Sequence, residues 1–238
     1  MMNIKILFDN NAGKKSILTG WGFSVLVDDS ILFDTGEDGE SLLSNMKEMG
    51  VRLDELEAVV ISHDHWDHTG GLWGVLKKRK GIKVYACPGF SEEFKKKVRD
   101  LSGDLREPDD FIEIKENIFA TGRIQGEYKM QPIEEQALAV KTAKGITVIT
   151  GCAHPGVVRI VEKVKEKFKK EKLYCVFGGF HLKNEQKEEI NVVIGQLETL
   201  GLIKCGPAHC SGEVALNEFK KRFAGDYITI AAGKEFEV

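Results

Sequence analysis

Ser62-His63-Asp64-His65-Trp66-Asp67-His68-Thr69-Gly70-Gly71 is the stretch on which the reading of this 238-residue chain turns. It puts three imidazoles and two carboxylates into the six residues from His63 to His68. The run before it, Ala58-Val59-Val60-Ile61, is short, apolar and β-branched, which predicts a buried strand. The histidines then fall in the loop at that strand's C-terminal end, and Thr69-Gly70-Gly71-Leu72 opens the next helix. A loop at a strand end is where a rigid sheet presents reactive groups. In an extended loop, residues two apart point the same way, so His63 and His65 can converge on one cation. Asp67 and His68 lie too far along to complete the same tetrahedron. The spacing therefore predicts two adjacent metal ions, each short of donors from elsewhere. Imidazole with carboxylate suits zinc, iron or manganese, and zinc is the first expectation.

The remaining histidines supply candidates. His154, His181 and His209 each follow an apolar run in a glycine-containing context: Ile146 to Ala153, Cys175 to Phe180 and Leu202 to Ala208. A lone histidine is more often a satisfied core or surface residue than a ligand. All six histidines of the chain at strand ends, three beside the dense cluster, reverse that presumption. The expected ligand set is His63, His65, Asp67, His68, His154, His181 and His209, holding two divalent transition-metal ions.

His63-x-His65-x-Asp67-His68, preceded by Ile31-Leu32-Phe33-Asp34-Thr35-Gly36 and followed by His154 and His209, resembles the metallo-β-lactamase superfamily along essentially the whole chain. Further segments sharpen the likeness: Asp9-Asn10-Asn11, Gln136-Ala137-Leu138, Thr150 to Gly156, Gly178 to Leu182, and His209-Cys210-Ser211-Gly212. Together they look like the subfamily related to dihydropterin-methyl-ribofuranosyl-aminobenzene phosphate synthase, many of whose members are described only as metal-dependent hydrolases. The resemblance implies an α/β fold of the α+β kind, a four-layer α/β/β/α sandwich with the metals between the sheet ends. It also implies that Asp34 supports the ligand histidines by hydrogen bonding. One departure stands out. Superfamily hydrolases carry a metal-bridging aspartate after a late strand, where this chain reads Gly178-Gly179-Phe180-His181. Either His181 substitutes as a ligand or water alone bridges the pair.

The rest of the chain sets bounds. With 42% hydrophobic residues, residues 1–238 can form one domain around a sizeable core. A net charge of −3 leaves no electrostatic footprint for nucleic acid. The start lacks the regions of a signal peptide, and no apolar run reaches the roughly 18 residues that span a bilayer. A cytoplasmic protein is expected, with no membrane partner and with a homo-oligomer allowed. The five cysteines have no metal-finger spacing and read as free thiols. Cys152 and Cys210 lie close enough to expected ligands to line the site; the bland alternative is a small buried hydrophobe.

Local patterning predicts a hairpin of 22–28 and 30–34 across Asp28-Asp29, helices over 39–49, 70–80, 91–100, 156–170, 185–200 and 212–223, and a last strand near 227–231. Ile190, Val193, Ile194, Leu197 and Leu200 form one helical stripe and read as core. The stretch 122–136, with Arg123, Glu127, Tyr128 and Lys129, has little periodicity and reads as a loop that either covers the substrate or is plain surface. Asn10, Arg123 and Cys152 are the candidate substrate contacts, and Asp67 the candidate catalytic acid–base group as well as a ligand.

No Ser-His-Asp arrangement, P-loop or dinucleotide fingerprint is present. Gly70-Gly71 at a helix start beside the cations could offer free N–H groups to an anion. The expected function is thus a metal-dependent hydrolase acting on a phosphorylated or pterin-like small molecule. The resemblance adds a pterin-transfer reaction in which pyrophosphate leaves a dihydropterin methyl group. Two alternatives stand beside it: a lactone or β-lactam hydrolase, and a non-catalytic metal-binding or sensing module.

Overall fold

The computed structural model describes residues 1–238. In chain order the first half contains β1 (Asn3–Phe8), β2 (Ser24–Val27), β3 (Ile31–Phe33), α1 (Gly39–Glu48), β4 (Ala58–Val60), α2 (Trp66–Thr69), α3 (Leu72–Lys78), β5 (Lys83–Tyr85), α4 (Glu92–Asp100) and β6 (Asp104–Arg106). The second contains β7 (Ile112–Lys115), β8 (Ile118–Ala120), β9 (Ile124–Tyr128), β10 (Gln131–Glu135), β11 (Leu138–Thr142), β12 (Gly145–Thr150), α5 (Val157–Lys167), β13 (Leu173–Gly179), α6 (Lys187–Thr199), β14 (Lys204–Ala208), α7 (Glu213–Phe223) and β15 (Glu235–Glu237). One sheet has the order β15-β1-β2-β3-β4-β5-β6 and the other β14-β13-β12-β11-β8-β7; β9 and β10 pair only with each other.

Alternation along the strands sorts side chains into three apolar layers. Val25, Val27, Ile31, Phe33, Ala58 and Val60 of the first sheet meet Leu138, Val140, Ile149, Cys175 and Phe177 of the second. The opposite faces pack under helices: Leu26, Leu32 and Val59 against α1, α3 and α4, and Ala139, Val148 and Val176 against α5, α6 and α7. That is the expected four-layer sandwich. Burying a side chain such as Phe177 fully contributes about 2–3 kcal/mol.

Helix starts follow their caps. The Asp38 carboxylate accepts from the N–H groups of Glu40 and Ser41, and Ser91 Oγ from Phe94. Asp28 and Asp29 form the expected hairpin turn with positive φ at both residues. Ile190, Ile194 and Leu197 of the anticipated stripe are buried in the core.

Four expectations need correction. The helix expected over 70–80 is two pieces, and the first begins at Trp66 inside the histidine cluster, so the extended loop ends at His65. Residues 122–136 are not irregular: β9 and β10 form a hairpin turning at Lys129 and Met130, both with positive φ. The segment 227–231 makes only an isolated bridge from Tyr227 to Cys205, and the terminal strand is β15, paired antiparallel with β1. The N–H groups expected to be free at Gly70 and Gly71 are already bonded, to the carbonyls of Trp66 and Gly36. These glycines serve close packing instead, since a Cβ on Gly70 would lie 1.8 Å from the Glu37 carbonyl oxygen.

The parallel pairs β3-β4-β5 and β12-β13-β14 bring strand C-termini to one edge of the sandwich. A crevice outside the carboxyl ends of such strands is where α/β sheets bind ligands.

Candidate metal centre

The histidine loop leaves β4 and enters α2, whereas His154, His181 and His209 leave β12, β13 and β14. Each of the three arrives on a tight loop; Ala153, His181 and His209 have φ of +62°, +53° and +49°. Such left-handed backbone is unusual for non-glycine residues and clusters where the fold fixes a functional side chain.

The imidazoles converge. His63, His65 and His154 bring ring nitrogens within 4.8 Å of one another, and Asp67, His68 and His209 form a second such triad beside them. Ring centroids of His63 lie 4.6 Å from those of His65 and of His154 and 4.2 Å from that of His68.

Partners behind the rings fix which nitrogen faces inward. Asp34 Oδ2 lies 2.7 Å from His68 Nδ1, and the same carboxylate accepts from Ser62 N and Ser62 Oγ. With its proton given to Asp34, Ser62 Oγ accepts from His63 Nδ1 at 2.8 Å. Asn10 Nδ2 donates to the His209 carbonyl, which turns Asn10 Oδ1 towards His209 Nδ1 at 3.0 Å. Glu135, fully buried, accepts from the N–H groups of Cys152, Ala153 and His154 and from His154 Nδ1. In every case Nδ1 donates backwards and the Nε2 lone pair points into the cluster, the arrangement that orients metal-binding imidazoles.

Those nitrogens meet little in the protein: His209 Nε2 lies 3.3 Å from Asp67 Oδ2, and His68 Nε2 lies 3.3 Å from Cys152 Sγ. His63 Nε2 is buried without a hydrogen-bond partner, as is His181 Nδ1. His68 Nε2 and His209 Nε2 face each other at 3.3 Å. Two acceptors that close need a proton or a cation between them. A divalent metal fits: the donors are imidazole, carboxylate and thiol, and a buried unsatisfied nitrogen costs about 1–3 kcal/mol otherwise.

The electrostatics agree with that demand. Burial, with the neighbouring imidazoles, pushes His63 far below the usual range, and His65 down to about 4. Burial also opposes charge on His68, but Asp34 outweighs it and raises this group to about 9. Burial would raise Asp67, yet its hydrogen bond to His209 and the charge of His68 hold it down at about 2. A cation bound here would supply the positive charge that His68 otherwise takes from a proton.

The centre opens on a cavity of about 330 Å³ lined by Trp21, Trp66, Tyr128, Lys129, Cys152, Cys210 and ligand-candidate residues. Tyr128 of the β9–β10 hairpin sits edge-on to His65, His154 and His181, so the hairpin lies over the centre. His181 lines this cavity and falls in a donor group with Cys152 and His154, apart from the triad of His68 and His209.

Two sequence-derived substrate contacts lie elsewhere. Asn10 stands behind His209 and orients it, as just described. Arg123 is absent from the cavity wall and pairs instead with Asp109 and Glu134. The sequence did not single out Glu135, Ser62 or Trp21, whereas Tyr128 lies in the stretch considered as a substrate cover. Glu135, the last residue of β10, left one faint signal, an acid a few residues before the apolar strand β11.

Comparison with known proteins agrees with this architecture. Residues 22–223 match the model of the metallo-β-lactamase superfamily. The 7,8-dihydropterin-6-methyl-4-(β-D-ribofuranosyl)-aminobenzene-5'-phosphate synthase of Methanocaldococcus jannaschii is 32% identical over 86% of this chain and 83% of its own. Among solved structures, a metal-dependent hydrolase of the β-lactamase superfamily superposes with a TM-score of 0.84 at 30% identity, over 100% of this chain and 99% of the other. The short form of human tRNase Z superposes at 0.64 with 13% identity over 99% of each chain, a likeness of fold alone. With sandwich, strand-end histidines and family model in accord, the chain belongs to the metallo-β-lactamase superfamily.

Proposed function

We propose that this protein is a metal-dependent enzyme acting on a phosphorylated small molecule with a flat ring of the pterin kind. The reaction is hydrolysis, or displacement of a diphosphate from a dihydropterin methyl group by an aminobenzene ribosyl phosphate. The observation that carries it is the pair of donor triads, with His63, His65 and His154 in one and Asp67, His68 and His209 in the other, opening on one cavity.

Divalent cations held by those residues, zinc first, supply Lewis acidity: they acidify water and draw charge from a substrate oxygen. The chain's own groups do the rest. Asp67, held near 2, is ionised at neutral pH and can orient a water through a hydrogen bond while serving as a donor. Trp21, Trp66 and Tyr128 provide aromatic faces against which a heterocycle can stack. Lys129, at the hairpin turn beside the cavity, supplies a cation for a phosphate. A curated relative named as a synthase of this chemistry supports the substrate class. The substrate is a free cytoplasmic metabolite.

The test is elemental analysis of wild type and His209→Ala, followed by assays with diphosphates, phosphodiesters and dihydropterin diphosphates. About two transition-metal ions per chain, falling to about one in the variant, with turnover of one of these substrates, is the expected result. No bound metal, or turnover of lactones alone, would overturn the reading.

A further inference from the structure

The end of β13 carries no carboxylate in Gly178-Gly179-Phe180-His181, and at Gly179 a side chain would have no room. A Cβ on Gly179 would lie 2.2 Å from the Gly151 carbonyl oxygen, 2.8 Å from Cys210 Sγ and 3.2 Å from Cys152 Cα. The space that a side chain would use is taken by the backbone that carries Cys152. This cysteine follows β12 two residues before His154, and its amide is pinned by Glu135.

Its sulfur occupies a singular position. Cys152 Sγ lies within 4.8 Å of ring nitrogens of His63 and His68, of His154 and His181, and of His209 together with Cys210 Sγ. His63 and His154 belong to one triad, His68 and His209 to the other. No other donor reaches so many members of both. Cys152 Sγ is 3.3 Å from His68 Nε2. With zinc–sulfur and zinc–nitrogen bonds of about 2.3 and 2.05 Å, two donors on one tetrahedral ion stand roughly 3.6 Å apart. The observed spacing is therefore close to that of two ligands sharing a cation. Cys152 is buried, and Cys210 lies beside it, with its sulfur 3.6 Å from the Cys152 carbonyl oxygen.

We propose that Cys152 is a metal ligand, and that its thiolate bridges the two ions in place of the missing carboxylate. This rests on the two-metal reading given above. Coordination releases the thiol proton to solvent and leaves a sulfur with lone pairs for both ions. His181, grouped with Cys152 and His154, then remains at the cavity wall and is not the substitute bridge.

The test is titration of the metal-free full-length protein with cobalt(II), following bound metal and the near-ultraviolet absorption that only a thiolate-to-cobalt bond produces. Wild type, Cys152→Ser, Cys152→Ala and Cys210→Ser are compared, with circular dichroism as the check on folding. The expected result is absorption that grows through both equivalents in wild type, vanishes in both Cys152 variants and persists in Cys210→Ser. Two bound ions with no thiolate band, or a band that survives in Cys152→Ser, would overturn the proposal and leave the two-metal reading intact. A band complete after the first equivalent would overturn bridging in favour of a terminal ligand. Clearly fewer than two cobalt ions per wild-type chain at saturation would refute the two-metal reading itself and the bridge with it. Should the serine variant unfold, the alanine variant answers the same question.

Discussion

Replacing Glu135 with Gln separates the support of the centre from the ligands themselves. Glu135 is fully buried, and its two oxygens accept four bonds: Oε1 from the N–H groups of Cys152 and Ala153, Oε2 from N–H and Nδ1 of His154. A glutamine of nearly the same shape keeps one acceptor oxygen and turns an NH₂ towards the other two donors. If the oxygen stays with Cys152 and Ala153, the amide can satisfy His154 only when that ring moves its proton to Nε2. The nitrogen aimed at His63 and His65 would then be unable to bind a cation. Losing two bonds to a charged acceptor, each worth about 1.5–3 kcal/mol, is offset in part because no charge need then be buried, so the metal-free protein should lose about 2 kcal/mol. Metal affinity should fall about 10- to 100-fold, the usual effect of losing the group behind a ligating histidine. Despite burial, the hydrogen bonds to His154 and its charge hold Glu135 below its ordinary 4.5, so its contribution is full above that pH and is lost as pH falls. Urea unfolding of metal-free wild type and Glu135→Gln at neutral and acidic pH measures the first effect, and chelator competition the second. A stability change under about 0.5 kcal/mol, which is within the range of ordinary surface substitutions, together with unchanged affinity would refute the reasoning.

Three further outcomes are expected. Gly151→Ala should impair metal binding and lower the melting temperature, because its Cβ would lie 2.1 Å from Ser62 Oγ and 2.8 Å from Asp34 Oδ2; Gly50→Ala, where nothing lies within 4 Å but φ is +68°, serves as the control for backbone strain alone. Asp9→Asn should stabilise the metal-free protein above pH 6: burial raises Asp9 from 3.8 to about 6 and its Oδ2 has no partner. The ionised form therefore costs about 3 kcal/mol at most, stability from this group is lost as pH rises through 6, and the gain in Tm should be larger at pH 8 than at pH 5. Zinc uptake at pH 7.5 should release protons, since His68 sits at about 9 without metal and must lose its proton to bind. Calorimetry in two buffers of different ionisation enthalpy reads this directly; equal heats would contradict it.

The parts of the fold that could be read from the sequence are those where one residue type answers one local demand. β4 followed by His63, His65 and His68, the Asp28-Asp29 turn and Ser91 at the start of the helix expected over 91–100 are of that kind. The hairpin of β9 and β10 is hard to read because Lys129 and Met130 take positive φ without the Asn-Gly that usually marks such a turn, and because Ile-Gln-Gly-Glu-Tyr and Gln-Pro-Ile-Glu-Glu alternate too weakly, with a glycine and a proline inside the strands. β15 is three residues long, with charged ends, and gains its identity only by pairing with β1 at the far end of the chain. The clustered histidines announce themselves by their chemistry, whereas Asn10 and Glu135 act through hydrogen bonds whose partners lie 199 and 19 residues away. No local pattern encodes such a pairing. Nor could spacing show that the N–H groups of Gly70 and Gly71 are already engaged.

The donors of the centre are drawn from both sheets, and His68 meets His209 across 141 residues of chain. No fragment of the nascent protein therefore owns a complete site. The two sheets must meet before Asn10, after β1, can hold His209, after β14. Contacts so distant in sequence form late and slowly, after the entropy of closing long loops has been met. Any cation that needs both donor triads can therefore be held only after the two sheets have closed on each other.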